Sequence, residues 1–296
     1  MSSPLTEQKH PQAKGLDNLS GEEILAILHR GQVDAAESVS SAIDSLYLGA
    51  KAMAASVRSG NKLVYAAAGS SGLQAMADGL EITPTFGVPI SQIKILRAGG
   101  LEDMSRPKGE AEDNQAAACA DADIIASGDC VICLAASGNT TYPVKIMKIA
   151  RERGALTIGI SNNPETDLLA GSDIPILLPT PAEVIAGSTR LGAGTAQKIA
   201  LNMMSSLMGV LLGHVMDGLM VNVIANNEKL FRRSENMVME ITGCSREVAA
   251  NNLREAGGQV KEAVLIMSGA KDLNKARDLL ESSDQNLRLA LAKLGD

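Results

Sequence analysis

The sequence predicts an α/β fold, a doubly wound parallel sheet flanked by helices, with a helical N-terminal lead-in and a small all-helical C-terminal appendage. Three observations carry the prediction. Short uninterrupted apolar runs at 63–68, 130–136 and 156–160 have the character of strands buried on both faces. Each run is closed by a turn rich in Gly, Ser or Asn. A helical pattern separates the last two runs, so strand, turn, helix and strand follow in the order that builds parallel crossovers.

In chain order, the lead-in at 1–60 is polar at first and then helical, with Ile24, Leu25 and Leu28 marking one short helix and Ile43, Leu46, Met53 and Val57 a longer one. The first strand, Leu63-Val64-Tyr65-Ala66-Ala67-Ala68, meets the turn Gly69-Ser70-Ser71-Gly72. An apolar helix at 73–80 ends with Glu81, just before Ile82-Thr83-Pro84-Thr85-Phe86-Gly87. The next strand, 130–136, is closed by Ser137-Gly138-Asn139-Thr140 and followed by a crossover helix at 143–153 that Gly154 ends. The run at 156–160 leads into Ser161-Asn162-Asn163-Pro164, and a further candidate strand lies at 174–178. Pro179-Thr180-Pro181 breaks the pattern, Gly187-Ser188-Thr189-Arg190 follows, and a long apolar helix occupies 195–212, its methionines read as core filling. From Met237 come three short helical patterns punctuated at Gly243, at Gly257-Gly258 and between Gly269 and Asp272. The expected organisation is a lead-in at 1–60, a ligand-binding α/β domain at 61–236 and a helical domain at 237–296.

Composition narrows the function. A chain of 296 residues that is 45% hydrophobic and 21% charged has the material for a substantial core. A net charge of −7 and an aromatic content of 2% argue against nucleic acid, which would be repelled and would find few rings to stack on. The start of the sequence lacks a basic segment followed by an apolar run, and no eighteen apolar residues run together, so a soluble cytoplasmic protein without a membrane role is expected. Cys130 and Cys133 have the spacing of zinc and redox motifs, but they lie inside an apolar strand whose successive side chains alternate faces. They are read as buried structural thiols.

Two sets of residues have chemistry to offer. Serine turns at the carboxyl ends of buried strands, leading into helix starts, supply N–H and O–H donors for a phosphate, which makes Ser70, Ser71, Ser137 and Thr140 candidates. The same residue types also punctuate ordinary turns and cap ordinary helices. Glu81 and the acidic cluster Glu110, Glu112 and Asp113 are the second set; they read either as solvated surface or as a pair of groups dividing acid and base work.

The stretch Ala68-Gly69-Ser70-Ser71-Gly72, then Asp78, Glu81 and Pro84-Thr85-Phe86-Gly87, resembles the first signature of the N-acetylmuramic acid 6-phosphate etherases. Ala98-Gly99-Gly100 followed by Gly109-Glu110-Ala111-Glu112-Asp113 is similar to their second carboxylate segment. Further likenesses follow in order at Ala135-Ala136-Ser137-Gly138, Ser161-Asn162-Asn163-Pro164, Ala186-Gly187-Ser188-Thr189-Arg190, Ala193-Gly194-Thr195-Ala196-Gln197-Lys198, Asn226-Asn227-Glu228-Lys229-Leu230 and Thr242-Gly243-Cys244-Ser245. The resemblance runs from about Thr6 to the end.

It implies a SIS-type sheet, a homodimer, a sugar-phosphate ligand, and cleavage of a lactyl ether with neither metal nor organic cofactor. It also implies Glu112 as base and Glu81 as acid, with Ser188 and Arg190 added to the substrate contacts. This family usually carries Arg where the chain has Leu73 and Asn139, Lys where it has Gly192, and Arg-Asn where it has Lys9-His10. Most of these differences remove a cation from segments expected near the ligand. A related lyase or isomerase acting on another sugar phosphate or acidic sugar, and a non-catalytic sugar-phosphate sensor, fit the same residues.

Overall fold

A computed structural model describes residues 4–100, 109–223 and 228–295. Asn226 and Asn227 of the family-like segment lie outside the described residues. The chain groups into two compact units, one formed by the residues up to Leu80 with Ser91–Ser205, the other by Glu81–Ile90 with the residues from Ser206 onward.

The first unit opens with two helices, α1 (Gly21–Ser38) and α2 (Ile43–Arg58). α1 is the longer of the two, extending well past the short helix expected. Its start is fixed by a reciprocal cap in which Ser20 N–H donates to Glu23 at 2.8 Å and Glu23 N–H donates to Ser20 Oγ at 3.3 Å. These hydrogen bonds hold the Glu23 carboxyl below its ordinary range. α2 buries Leu46, Ala50, Met53 and Val57, the helical spacing that the sequence displays.

The sheet has five parallel strands in the order β2-β1-β3-β4-β5. These are β1 (Leu63–Ala67), β2 (Ile93–Arg97), β3 (Cys130–Ala135), β4 (Leu156–Ser161) and β5 (Ile174–Leu177). Tyr65 stands opposite both Ile95 and Ile132, which fixes the central register. β1 and β3 are buried at every position, hence their unbroken apolar runs. The edge strand β2 was not among the expected strands; its partly exposed Lys94 interrupts the apolar pattern because an edge meets solvent.

On one face of the sheet, Val131, Cys133 and Ala135 of β3 join Val64 and Ala66 of β1 in a core with Ala118, Tyr142, Ile146 and Met147. Those last residues come from α4 (Gln115–Asp121) and α5 (Thr141–Glu152). Both strand cysteines are buried and free. Burial, with the neighbouring Asp129 charge, pushes the Cys130 thiol up to about 12, and burial pushes Cys133 up as well.

A long helix, α3 (Gly69–Phe86), starts directly after β1 and continues beyond the expected 73–80, so Glu81 lies within it and not at its end. Pro84 sits inside, where its missing N–H deprives the Leu80 carbonyl of a helical partner. The helix stops at Gly87, which adopts a φ of 66° and donates to Thr83 O at 2.9 Å. After the short α6 (Asp167–Gly171) comes the second long helix, α7 (Gly192–Leu211).

In the second unit, five helices follow: α8 (Glu228–Thr242), α9 (Arg246–Glu255), α10 (Val260–Met267), α11 (Leu273–Glu281) and α12 (Leu287–Ala292). Val221, Val238, Leu253, Val264 and Leu280 are among the residues of their shared core. The sequence suggests three patterns here. The break between α11 and α12 escaped because the left-handed turn is made by Asp284 and Gln285, at φ 49° and 63°, without the glycine that marks such turns. Among the described residues no helix is long and apolar enough to cross a membrane.

Candidate active site

The strand order makes β1 and β3 neighbours although the chain visits β2 between them. Connections leave this pair in opposite directions, and the crevice at their carboxyl ends is where open α/β sheets take ligands. Two turns meet there. In the first, Gly72 donates to Ala68 O at 2.9 Å as the first helical hydrogen bond, so the N–H groups of Gly69, Ser70 and Ser71 have no carbonyl within the helix to reach. Those donors and the positive end of the α3 dipole form an anion-receptive surface.

In the second turn, Ser137 Oγ and Thr140 Oγ1 are 3.1 Å apart and Asn139 N–H donates to Ser137 Oγ at 3.2 Å. Gly138 has a φ of 72°, and a Cβ there would collide with Ser161 and Thr166, so the tight turn depends on glycine. Ser70, Ser71, Ser137 and Thr140 line one cleft of about 180 Å³ together with Glu112.

Glu112 belongs to a five-residue stretch of 3-10 helix, Gly109–Asp113, next to Asp113, which accepts a hydrogen bond from Thr141 at the start of α5 at 3.1 Å. Its carboxylate comes so close to the start of α3 that a Cβ on Gly69 would lie 2.5 Å from Glu112 Oε1. Glu81 is placed differently: it is exposed, nearly three helical turns further along α3 than Ser71. It is not one of the described residues lining the cleft.

The helix itself is held by buried Asp78, which accepts from Tyr65 Oη at 2.8 Å, Asn202 Nδ2 at 2.7 Å and Ser205 Oγ at 2.8 Å. Burial, reinforced by the Asp78 charge, pushes the Tyr65 hydroxyl well up, so it serves as a donor and keeps its proton. The buried Arg97 at the end of β2 donates to Ala98 O at 3.3 Å and Gly100 O at 3.2 Å. Its side-chain stem packs under Gly72, whose Cβ position is 3.0 Å from Arg97 Cγ.

The remaining wall includes Thr6 and Glu7, which the sequence does not mark as site residues. Thr6 and Glu7 sit in a 3-10 turn, Leu5–Glu7. Thr6 Oγ1 accepts from buried Asn163 at 3.0 Å and Thr6 O accepts from Gly187 N–H at 3.0 Å. Asn163 also donates to Ala136 O at 2.9 Å, tying this strap to the turn after β3. Of the Gly187-Ser188-Thr189-Arg190 loop, Gly187 and Thr189 line the cleft, whereas Ser188 is half-buried between them in sequence and Arg190 is exposed.

At the positions that differ from the family pattern, Leu73 is exposed on α3 and Asn139 Oδ1 accepts from Asp167 N–H at 2.9 Å. Gly192 and Ala193 N–H both donate to buried Glu183 at 2.9 Å, and His10 Nδ1 accepts from Gln12 N–H at 3.1 Å. Among the described residues, no group of three or more His, Cys, Asp or Glu could hold a metal ion.

Sheet order and paired hydroxyl turns define a protein of the SIS class, and residues 101–208 match the SIS domain. The fold is similar to that of an E. coli CFT073 protein, at 16% identity and a TM-score of 0.50 over 68% of this chain and 97% of the other. A phosphoheptose isomerase from Francisella tularensis shares it at 14% identity and a TM-score of 0.50, over 65% and 100% of the two chains. Much nearer in sequence are the N-acetylmuramic acid 6-phosphate etherases of Deinococcus radiodurans and Histophilus somni. They are 39% and 36% identical, each covering 97% of this chain and 95% of its own length. The etherase of Symbiobacterium thermophilum is 38% identical over 89% of this chain and 88% of its own. The chain belongs to the N-acetylmuramic acid 6-phosphate etherase family.

Proposed function

We propose that this protein is a carbon–oxygen lyase that cleaves the lactyl ether of N-acetylmuramic acid 6-phosphate to N-acetylglucosamine 6-phosphate and D-lactate, in cytoplasmic recycling of cell-wall amino sugars. The observation that carries the proposal beyond family membership is the Glu112 carboxylate, set against the start of α3 in the cleft that the serine turns line. A base is thereby next to donors suited to a phosphate.

In this reading the α3 N–H groups, Ser70, Ser71, Ser137 and Thr140 hold the phosphate, with Ser188 and Arg190 as further substrate contacts. Glu112 removes the proton on C2 of the ring-opened sugar, where the aldehyde spreads the negative charge. The electron pair forms a C2–C3 double bond as the C3–O bond breaks, and Glu81 protonates the departing lactate oxygen. Water then adds at C3, giving its proton to Glu81, while C2 regains a proton. The chemistry asks for neither metal nor organic cofactor.

Glu81 shares an exposed stripe of α3 with Leu73, Ala77, Leu80 and Pro84, which recur at helical spacing. Leu73 and Leu80 are 48% and 53% exposed. Covering that stripe supports a homodimer in which Glu81 serves the cleft of a second copy; exposed Met203 and Val210 of α7 add apolar surface for the same purpose. The functional division proposed is a lead-in at 1–60, a SIS domain at 61–236 and a helical domain at 237–296. Incubation with N-acetylmuramic acid 6-phosphate and an assay for D-lactate tests the activity. Stoichiometric release supports it; a sugar product without lactate, or binding without turnover, refutes it.

A further inference from the structure

We propose that Glu7 is a substrate-contacting residue of this cleft, accepting hydrogen bonds from the hydroxyl groups of the bound sugar and so selecting a sugar phosphate over phosphate alone. The inference rests on the sugar-phosphate reading of the cleft. Glu7 lies on the surface, yet it lines the same cleft as Ser71, Ser137 and Glu112.

The turn that carries it is anchored on three sides. Glu7 N–H donates to Pro4 O at 3.0 Å, Thr6 O accepts from Gly187 N–H at 3.0 Å, and Thr6 Oγ1 accepts from Asn163 at 3.0 Å. The carboxylate lies beside Gly187, a residue of φ 76°: a Cβ built there would be 3.3 Å from Glu7 Oε2. A solvated surface glutamate requires no buried asparagine under its neighbour, whereas the strap that carries Glu7 is tied down by Asn163.

The chemistry then selects the partner. An ionised carboxylate only accepts hydrogen bonds and repels a phosphate, so Glu7 is unsuited to the anion that the serine turns receive. Sugar hydroxyls are donors of the matching kind, and hydrogen bonds to a charged acceptor are the stronger ones. Glu112, beside the start of α3, has the different task of proton transfer assigned to it under the proposed function.

The test compares wild type, Glu7→Ala and Glu7→Gln by calorimetry with two probes, N-acetylglucosamine 6-phosphate and inorganic phosphate. Glu7→Ala is expected to weaken the sugar ester on the order of tenfold to a hundredfold, with Glu7→Gln in between, while inorganic phosphate binds as before. Unchanged affinity for the ester, or a parallel loss for both probes, overturns the proposal, the second outcome marking Glu7 as mere scaffolding of the strap. Failure of the wild type to bind the ester overturns both this proposal and the reading beneath it. Binding with no release of D-lactate from the etherase substrate refutes the activity and leaves Glu7 judged on the affinities.

Discussion

At the amino end of the sheet, the buried Asp129 carboxylate accepts from Lys62 N–H at 2.9 Å and Ala126 N–H at 2.8 Å, with the Lys62 ammonium 3.1 Å away. Ser56 Oγ and Cys130 N–H both donate to Lys62 O, at 3.0 and 2.9 Å. Polar groups there are satisfied by one another. At the carboxyl end the same kinds of group, hydroxyls, N–H donors and a carboxylate, line a cleft, and the first N–H groups of α3 have no helical acceptor. Chemical type does not separate the two ends of the sheet, but exposure does: Ser56 and Asp129 are buried, whereas Ser137 is exposed and Thr140 and Glu112 are half-buried. The carboxyl-end groups line an open cleft, within reach of a ligand, and the amino-end groups are packed against one another.

Four experiments break or sharpen that contrast. The largest effect is expected at Glu112: Glu112→Gln should lower turnover by ~10²–10⁴-fold and abolish exchange of the C2 proton with deuterated water, with thermal stability unchanged. Mixing it with Glu81→Gln should restore part of the activity if the two residues act across copies; no restoration places both in one copy's site. Next, replacing Ser71 and Ser137 together by Ala should cost roughly 1.5–3 kcal/mol of sugar-phosphate binding per lost hydrogen bond, again with the fold intact. Calorimetry showing unchanged affinity would remove these hydroxyls from the phosphate site.

At the closed end the pattern reverses. Asp129→Ala should destabilise the protein by about 3 kcal/mol in chemical denaturation, because it strands buried donors, while kcat of the folded protein stays near wild type. An equal loss of kcat would mean that the two ends are coupled. The smallest effect is in thiol reactivity. With a pKa of about 12, Cys130 holds roughly one thiolate in ten thousand at pH 8, so a thiol reagent should modify exposed Cys119 first and spare Cys130. Cys130 should become measurably more reactive in Asp129→Ala, where its neighbours loosen.

The sequence-based reading reached furthest where structure is local and repetitive. β1, β3, β4 and β5 follow from apolar runs, and the two serine turns follow from their position after β1 and β3. Ser70, Ser71, Ser137, Thr140 and Glu112 do come together. Strand β2 escaped because an edge strand carries charge among its apolar residues, and α3 ran past Glu81 because a proline in the last turn of a helix does not forbid that turn. Thr6 and Glu7 escaped for another reason. Their place depends on contacts far along the chain, such as the one between Thr6 and Asn163, 157 residues apart, for which no local pattern stands.

That long reach sets an order on the making of the protein. Thr6 and Glu7 leave the ribosome well before Asn163 and Gly187 and cannot take their place until those residues have been synthesised. The nascent chain therefore carries one wall of its own cleft as an unattached segment while β1 to β5 are made. Anything fused close to Thr6, or a processing event that trims it, would act on the cleft although it lies far along the chain from every strand that builds it.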